Sequence, residues 1–515
     1  MPTIKYGLQN IELRGLSADL AKKIRDLTSY TVKVDAERYF QSMDITREEA
    51  WEKATYYPAT YQVNKSDDTY TLRIPTGFYL RLGDILGRNL KPRNTIEPVE
   101  LDLEKLMAEL GLQVRSHQIE AVEALLECPR GQVVLPTGAG KSYIIALFLR
   151  YFPNVTALVV VPKIDLQRQL IRTLEHVLQE PIGAIGGGKD EIKRVSVAVW
   201  NSISDHRYSK YLETVKAIII DECHERIDNQ RRLLDPRLAS NHVKTNPPIR
   251  IGVTATPRKD GREFHTEGIV GPVLYTVPRE RLESENIIIC PEFYYIPYEH
   301  KDTENVIYEG YKGGGYWHGK EFKTIPRDAE HYKFCCTENE ERNELILRIL
   351  KAFIDWDGRT GPGLCFTASI EHSNLIVDGL KKLKKPKYTK VCSVSSETKT
   401  KDRNQILDKA RAGELNLLVA ANILNVGVDI PSLQVGFLTN PCMNEITLVQ
   451  RIGRILRKSK QKGKVIICIF LDKENIYYTN RSIKAKAALE REYETATHTE
   501  LTVAELINKF KTNTF

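Results

Sequence analysis

Short apolar runs that end in polar or glycine-rich turns dominate the chain from Leu112 onward. Runs without polar alternation suit strands buried on both faces, as in a parallel sheet covered by helices. The first group of runs is GQVVLP, TALVVVP, VSVAVW, KAIIID and IRIGVTAT. The second group, after about residue 290, is EFYYIPY, GLCFTAS, KYTKVCSV, LNLLVAA, LQVGFLT and KVIICIF. Two consecutive units of this kind predict two doubly wound α/β domains, whose ligands sit at the carboxyl ends of the strands.

The remaining segments have less regular patterns. Residues 1–98 are rich in charged and aromatic residues and contain a strand-like pair around a turn, TYQVNKSDDTYTLRIP. The proline-containing stretch LKPRNTIEPVELD then indicates a linker. Residues 308–336 include YKGGGYWHGKEF, which is either a mobile hairpin that contacts nucleic acid or a plain surface insertion. The lysine-rich run Lys381–Lys390 is interpreted as a solvated helix end rather than a binding patch.

These patterns set the predicted domain boundaries. We expect an N-terminal accessory domain over 1–98, a first α/β domain over 99–283 and a second over 284–475, into which 308–336 is inserted. Residues 476–515 are rich in lysine and glutamate, which suits an exposed amphipathic helical extension. Two alternatives stay open for this segment: it docks on the second domain, or it binds a partner.

Composition narrows the class of protein. The 515 residues carry a net charge of +8, which permits a phosphate-rich partner without proving one. The nine cysteines lack CxxC pairs and metal-ligand spacing, which indicates reduced thiols in a cytosolic protein. No run approaches the ~20 apolar residues that a membrane-spanning helix needs. We therefore expect a soluble protein of the cytoplasm, the host-cell cytoplasm if a phage encodes it, with the nucleus left open and no membrane partner.

The strongest local signal is LPTGAGKS, which follows an apolar run and precedes the helical run YIIALFLRYF. This is the context that a phosphate-binding loop requires. Gly138 and Gly140 let the backbone wrap closely, so that its N–H groups face the phosphates of ATP. Lys141 is predicted to neutralise the β- and γ-phosphates, and the Ser142 hydroxyl to ligate Mg²⁺. Leu135 departs from the strict pattern, which has a glycine or alanine there.

A second signal is KAIIIDECHE, an apolar run that ends in two carboxylates. Such carboxylates belong beside a phosphate loop that follows a neighbouring strand. Asp221 can hold the metal through its water shell, and Glu222 can orient and deprotonate the attacking water. Together the two signals predict a site that hydrolyses ATP.

PTGAGKS, DECH and the later TAT resemble motifs I, II and III of the superfamily 2 helicases and translocases. Upstream, RSHQ resembles the adenine-recognition element, with Gln118 as the base contact and Arg115 supporting it. VVVPKIDLQRQ resembles motif Ia, and VAVWNS resembles the next backbone-contacting motif, although Val199 stands where threonine is more usual. In the second domain, GLCFTASIEHS, AANILNVGVDIP and QRIGRILR resemble motifs IV, V and VI.

The resemblance runs from about Leu112 to Phe470 and implies two tandem RecA-like domains with a small α+β N-terminal domain. Arg454 and Arg457 share one helix face because they are three residues apart, so both could reach the γ-phosphate. The implied catalytic residues are Lys141, Asp221, Glu222, Gln450, Arg454 and Arg457. The implied nucleotide contacts are Arg115, Gln118, Pro136, Thr137, Gly138, Ala139, Gly140, Lys141, Ser142, Gly427 and Asp429. The implied metal ligands are Ser142 and Asp221. The implied nucleic-acid contacts are Pro162, Lys163, Trp200, Ser202, Thr367 and Asn422. The implied coupling residues are Thr254 and Thr256.

DECH together with QRIGRxxR differs from the motifs of the RNA-directed DEAD-box proteins. It resembles the DNA-directed group that includes the excision-repair helicase XPB, RecG-like motors, restriction motor subunits and phage UvsW. The stretch IGAIGGGKDE and the compact size look most like the UvsW-type phage helicases.

This resemblance implies an ATP- and Mg²⁺-dependent DNA helicase or translocase. It would act as a monomer on single-stranded, forked or branched DNA during replication, recombination or repair, with recombination or replication proteins as candidate partners. Three alternatives stay open: an RNA-directed helicase, the motor subunit of a restriction-type complex, and a non-enzymatic scaffold that binds nucleic acid. The presence of the full catalytic set opposes the scaffold.

Overall fold

The computed structural model divides the chain into a first unit, residues 1–278, and a second unit, residues 279–515. The division at Pro278 precedes the predicted boundary at residue 283. The structure describes residues 3–6, 10–31, 46, 48–49, 55–56, 60–64, 69–92, 95–235, 245–258, 261–300, 315–318, 321–324, 332–395, 397–421, 430, 433–440, 445–456, 464–474 and 478–515.

The first unit begins with a small antiparallel sheet in the strand order β1–β2–β6–β5. The predicted strand pair is confirmed, because β5 and β6 pair antiparallel around their turn. A two-residue bridge, β3–β4, accompanies the sheet. The strands are β1 Thr3–Tyr6, β2 Asn10–Leu16, β3 Tyr30–Thr31, β4 Thr55–Tyr56, β5 Thr60–Asn64 and β6 Thr69–Pro75. The helices are α1 Ala18–Thr28, a 3₁₀ turn Thr76–Phe78 and α2 Tyr79–Leu86.

The main sheet of the first unit has eight strands in the order β10–β9–β11–β8–β12–β13–β7–β14. All neighbouring pairs are parallel except the β9–β10 hairpin. The strands are β7 Arg130–Val134, β8 Ala157–Val161, β9 Gly183–Gly186, β10 Lys189–Glu191, β11 Val195–Val199, β12 Ala217–Asp221, β13 Ile249–Thr254 and β14 Val273–Thr276. The helices are α3 Leu103–Glu109, α4 Ser116–Glu127, α5 Lys141–Arg150, α6 Ile164–Leu178, α7 Trp200–Ile203, α8 Ser209–Thr214, α9 Ile227–Leu234 and α10 Glu263–Ile269, with a 3₁₀ turn His206–Tyr208.

The N-terminal sheet shares its core with the main sheet. Phe264 and Leu274 pack against the apolar side chains of the small sheet. Arg81 Nε and Nη2 donate to the Glu267 carboxylate at 2.6 and 2.9 Å, and the Arg81 guanidinium lies 4.5 Å from the Phe264 ring centre. Gly77 permits this docking, because a Cβ there would overlap the Glu267 carbonyl oxygen. The small sheet and α2 are thus fixed to α10, the helix that follows TAT.

The second unit contains a seven-stranded sheet, all parallel, in the order β19–β20–β18–β21–β22–β15–β23. Alternate residues of its central strands enter two cores on opposite faces. The strands are β15 Pro291–Glu299, β18 Gly363–Thr367, β19 Val391–Val394, β20 Leu417–Ala421, β21 Val435–Leu438, β22 Val465–Lys473 and β23 Thr497–Glu500, and a separate pair is β16 Gly315–His318 with β17 Glu321–Thr324. The helices are α11 Arg279–Ser284, α12 Glu340–Asp355, α13 Ile370–Lys381, α14 Pro386–Thr389, α15 Thr400–Arg411, α16 Glu445–Ile455, α17 Thr479–Glu492 and α18 Val503–Thr512, with a π-helical turn Lys333–Thr337.

Every apolar run predicted to be a strand forms one, so the prediction of two doubly wound sheets is confirmed. Within the insertion 308–336, β16 and β17 form an antiparallel hairpin, and most of the remaining residues lie outside the described part of the chain. In the described part, no helix combines the length and the apolar character needed to cross a membrane.

The C-terminal segment is an integral part of the second unit rather than the exposed extension expected from its charge. Strand β23 pairs with β15 and extends the sheet. Helix α18 packs on α12, where Phe510 is 1% exposed and lies 5.5 Å from the Trp356 ring and 4.8 Å from the Phe515 ring. Trp356 Nε1 also donates to Asn513 Oδ1 at 2.8 Å. The sequence pattern missed this docking because the strand is short and polar.

Phe510→Ala should destabilise the second unit by about 3–5 kcal/mol, because it removes a buried ring from the contact between α12 and α18. Unfolding in urea, followed by tryptophan fluorescence, measures this loss. Asn508→Ala, at an exposed position of the same helix, is the matched control and should change the free energy of unfolding by less than about 0.5 kcal/mol. Equal effects of the two substitutions would contradict the docking.

Candidate active site

The loop between β7 and α5 has the shape that its glycines predict. Gly138 and Gly140 have φ angles of 94° and 92°, values that L side chains adopt only with strain. Ala139 between them is fully buried, and its carbonyl oxygen accepts from His117 Nε2 at 2.8 Å. The buried His117 on α4 therefore holds the phosphate-binding loop in place through the Ala139 carbonyl.

Gln118 braces the same loop. Its Nε2 donates to the Ala139 carbonyl at 3.4 Å, and its Oε1 accepts from the Arg115 N–H at 3.1 Å. A Cβ at position 140 would overlap the Gln118 amide and would also be strained by the φ of 92°, so glycine is favoured there. The structure thus places Gln118 against the phosphate loop and leaves Arg115 exposed. Their predicted role in base recognition stays a prediction.

Lys141 and the DECH carboxylates meet at the carboxyl ends of β7 and β12, which β13 separates, so the two strands are not the direct neighbours that the sequence predicted. Lys141 Nζ lies 3.2 Å from Glu222 Oε1, and both side chains are largely buried. Burial raises the pKa of Asp221 to about 7, an effect to which the Glu222 carboxylate adds and which Lys141 opposes. Two carboxylates therefore share one ammonium group, and the site has an excess of negative charge that a divalent cation would balance.

The donor set fits Mg²⁺ bound through a few protein ligands. Among the described residues, no group of three or more His, Cys, Asp or Glu side chains could hold a metal ion. Mg²⁺ commonly takes only one or two carboxylates and fills its other positions with water and substrate phosphates. Ser142, which is half-buried at the start of α5, and Asp221 could supply that small set.

The DECH turn is held in an unusual backbone conformation. Glu222 has a φ of 51°, a left-handed value that costs energy for a residue with a side chain. Gln230, which is fully buried on α9, donates through Nε2 to the Cys223 carbonyl at 2.6 Å and to the Glu225 carbonyl at 2.8 Å. Gln230 therefore fixes the turn that carries Glu222.

Hydrogen bonds connect DECH to TAT. His224 Nδ1 lies 2.7 Å from Thr254 Oγ1, which also accepts from the Thr256 N–H at 3.1 Å. Burial lowers the pKa of His224, so this ring is neutral near pH 7. The Thr254 carbonyl in turn accepts from Leu135 N, at the entry to the phosphate loop, at 2.9 Å. The three motifs of the first unit thus form one hydrogen-bonded network.

The predicted nucleic-acid contacts of the first unit divide into two kinds. Pro162, Lys163 and Ser202 are half-buried where β8 and β11 end. Trp200, by contrast, is 2% exposed and packs in the core beneath them. The Trp200 indole therefore continues the buried face of β11 and is not presented at the surface, and the predicted contact of this residue with nucleic acid stays a prediction.

Thr367 in the second unit is likewise not presented at the surface. It is fully buried, its Oγ1 donates to the Ser369 carbonyl at 3.0 Å, and it lies 2.6 Å from Ser373 Oγ. These bonds use the hydroxyl to close the turn before α13. The Thr367 side chain therefore does not reach nucleic acid in this structure.

The remaining predicted residues of the second unit cannot be placed in the site. Helix α16 forms as predicted, and its Arg451 is 1% exposed and stacks 5.0 Å from the Phe366 ring centre. The side chains of Gln450 and Arg454 lie outside the described part of the structure. The same holds for the whole residues Asn422, Gly427, Asp429 and Arg457. Their roles stay predictions.

Sequence reasoning missed the residues that shape the site from behind. His117 and Gln230 are buried polar side chains on α4 and α9, and Arg258 Nη1 donates to the His224 carbonyl at 3.3 Å. Gln167 on α6 donates to the carbonyls of Ile185 and Val197 at 3.0 and 2.8 Å. A polar residue on the apolar face of a helix was the available signal.

Two family models match the chain. Residues 111–259 match the model described as "Type III restriction enzyme, res subunit", and residues 342–459 match "Helicase conserved C-terminal domain". Together these segments make up just over half of the 515 residues and contain the motifs described above. The chain belongs to the superfamily 2 helicases.

Individual proteins agree with this assignment. The chain is 28% identical over 373 residues to the "DNA 3'-5' translocase XPB2" of Sulfurisphaera tokodaii, covering 69% of this chain and 81% of that protein. It is 24% identical over 387 residues to the "ATP-dependent DNA helicase uvsW" of Enterobacteria phage T4, covering 72% and 70%. By class, this superfamily 2 helicase is an ATP-dependent DNA helicase.

A solved structure confirms the fold. The structure of Dbp5 from S. cerevisiae, bound to RNA and ADP BeF3, superposes with a TM-score of 0.52 at 15% identity, covering 80% of this chain and 97% of that chain. Identity this low supports the architecture alone. The two parallel sheets are therefore RecA-like domains, as predicted.

Glu222→Gln should bind ATP with little change but slow its hydrolysis by roughly 10²- to 10⁴-fold, because only the group that accepts a proton from water is lost. Lys141→Ala should abolish hydrolysis, because the group that neutralises the phosphates is lost. Phosphate release and binding of a fluorescent ATP analogue separate the two steps. Wild-type turnover in either variant would refute the assigned role of that residue.

Gln230→Leu should lower kcat on the order of 10- to 100-fold while changing the KM for ATP little, because a turn displaced by about 1 Å misplaces Glu222 rather than the phosphate loop. Steady-state phosphate release measures both constants. Asn229→Ala, at the neighbouring half-exposed position, is the control and should leave both unchanged. An unaltered kcat in Gln230→Leu, with the variant folded, would show that the turn holds its shape without this amide.

Proposed function

We propose that this ATP-dependent DNA helicase uses the site around Lys141 and Glu222 to hydrolyse ATP and drive its movement along DNA. The observation that carries the proposal is the ammonium of the phosphate loop held 3.2 Å from the Glu222 carboxylate. In the ATP complex, Lys141 turns to the β- and γ-phosphates, and Glu222 is then released to orient the attacking water. In this proposal, Arg454 and Arg457 of the second unit also contact the γ-phosphate of the bound ATP.

Mg²⁺ belongs to the same proposal. When bound, it supplies positive charge to the β- and γ-phosphates and neutralises charge that develops during hydrolysis. Asp221 and Ser142 would hold it. Burial and the Glu222 carboxylate raise the pKa of Asp221 to about 7, so a bound cation would stabilise the ionised form of Asp221.

We further propose that the preferred substrate is forked or branched DNA and that the working form is a monomer in the cytoplasm. The likeness to the uvsW helicase supports a substrate of this type. The accessory domain supports it as well, since its fixed position on α10 would give the motor a second, rigid contact with DNA. Proteins of recombination or replication are its proposed partners.

A second candidate function follows from the family model of residues 111–259, whose description names the res subunit of a restriction enzyme. In that case the chain would be the motor of a larger complex and cleavage would require another chain. Cleavage of DNA by the purified chain alone would contradict both the helicase proposal and the restriction-motor proposal. Cleavage that appears only with a copurifying subunit would favour the restriction motor.

The proposed substrate is tested by ATP hydrolysis in the presence of single-stranded, duplex, forked and four-way DNA, each beside its RNA counterpart. DNA should stimulate hydrolysis and RNA should not, with forked and four-way DNA giving the largest effect at equal phosphate concentration. Contacts made mainly to phosphates predict that the stimulation weakens as salt rises. Glu222→Gln controls for contaminating ATPases, and stronger stimulation by RNA would reassign the substrate class.

A further inference from the structure

A dense cluster of lysines lies at the amino ends of strands β18 to β20 in the second unit. Six lysines occur between residues 381 and 390, over the end of α13 and the short helix α14. The Lys390 carbonyl accepts from Asn416 N at 2.8 Å, directly before β20, and Lys390 itself precedes β19. All six lysines are exposed. The run therefore lies at the end of the sheet opposite Thr367 and the rest of motif IV.

The fold brings further cations to this run. Asp355, at the end of α12, accepts from Tyr388 Oη at 2.8 and 2.7 Å and pairs with Lys387. Although burial opposes them, these bonds lower the pKa of Asp355, which stays ionised. Asp355 lines a cavity of about 660 Å³ with Arg348, Lys351 and Lys511. We call the following set the basal lysine surface: Arg348, Lys351, Lys381, Lys382, Lys384, Lys385, Lys387, Lys390 and Lys511.

Most of this charge is not compensated. Apart from Lys387, none of the six lysines forms an ion pair with a carboxylate of the described residues, and neither do Arg348 and Lys511. Elsewhere in the same unit, the half-buried Lys473 and Lys486 do have a partner, since both pair with Glu500. The acids on the surrounding elements include Asp355, which Lys387 engages, Asp357 and Asp378, and also Glu344 on α12 and Glu414 before β20. Uncompensated like charge of this density favours a polyanion.

The chemistry of the surface favours phosphates over protein. Protein interfaces are depleted of lysine and are built around buried aromatic or apolar anchors. The lysine run presents only one large apolar side chain, Leu383, which is 41% exposed. Flexible ammonium groups suit contacts with a nucleic-acid backbone, which need no fixed geometry and carry no sequence information.

We propose that the basal lysine surface binds the phosphate backbone of a second DNA segment, such as the duplex arm of a branched substrate. The five residues of β18 separate the two ends of the sheet by about 16 Å. A DNA strand bound at the motif IV end therefore leaves the basal end free. A second DNA arm would bind there. This inference rests on the proposed function and adds a binding site to it.

The test replaces four lysines together: Lys381→Gln, Lys382→Gln, Lys385→Gln and Lys390→Gln. Lys387 is kept because it pairs with Asp355, and Lys384 because its backbone is left-handed, with a φ of 50°. Fluorescence anisotropy with a labelled four-way junction measures affinity between 50 and 300 mM salt, on the order of the range where phosphate contacts dominate. The slope of log affinity against log salt should fall by about one for each lost phosphate contact.

The matched control removes the same charge elsewhere, at Lys105, Lys193, Lys210 and Lys484, which are all exposed. The basal variant should bind the junction at least tenfold more weakly than this control near 150 mM salt, and its ATPase with a short single strand should stay within twofold of wild type. Thermal unfolding checks that both variants are folded. Equal junction affinities of the two variants would overturn the proposal.

Two further outcomes are decisive. If the basal variant keeps its junction affinity but loses binding to polyglutamate, the surface takes an acidic protein segment and the proposal is wrong. If no DNA stimulates the wild-type ATPase, the proposed motor function fails. In that case, the junction affinities of the two variants still test whether the basal lysine surface binds DNA.

Discussion

The pairing of Lys141 with Glu222 sets the charge balance on which the active site depends. Two largely buried carboxylates and one ammonium leave the strand ends short of positive charge, and burial together with the Glu222 carboxylate raises the pKa of Asp221 to about 7. In the proposed ATP complex, a divalent cation held by Asp221 and Ser142 would supply the missing positive charge, and Lys141 would turn to the phosphates. Binding of substrate therefore rearranges the pair, and the site is built to be more stable in the loaded state.

Neighbouring residues hold Glu222 in the strained backbone conformation that places it beside Lys141. Glu222 has a left-handed backbone, which costs about 1–3 kcal/mol for a residue with a side chain. Gln230 offsets that cost by fixing the carbonyls on either side of His224. The His224 ring on this turn also hydrogen-bonds to the Thr254 hydroxyl at the end of β13. The DECH turn, the end of β13 and the entry to the phosphate loop are thereby held in one hydrogen-bonded network.

Much of this could be predicted because it depends on local pattern. Strands buried on both faces are continuous apolar runs, and the phosphate loop needs glycines at fixed places, so both are visible in the sequence. The burial of two predicted contact residues depends on tertiary packing instead. Trp200 and Thr367 stand in motif positions, yet one continues a buried strand face and the other closes a turn with its hydroxyl. Gln230 was missed because the available signal, a polar residue on the apolar face of a helix, does not by itself show what the side chain contacts.

The same limit explains the termini and the lysine run. Strand β23 has the polar sequence THTE, and it forms because β15 presents an unpaired edge for it, a fact that only the assembled sheet contains. The lysines between 381 and 390 were interpreted as a solvated helix end, and along the sequence nothing opposes that view. Folding places Arg348, Lys351 and Lys511 beside them and gives their nearest carboxylate to Lys387. The charge is then concentrated at one end of the sheet, where solvation alone does not account for so many unpaired cations on neighbouring elements.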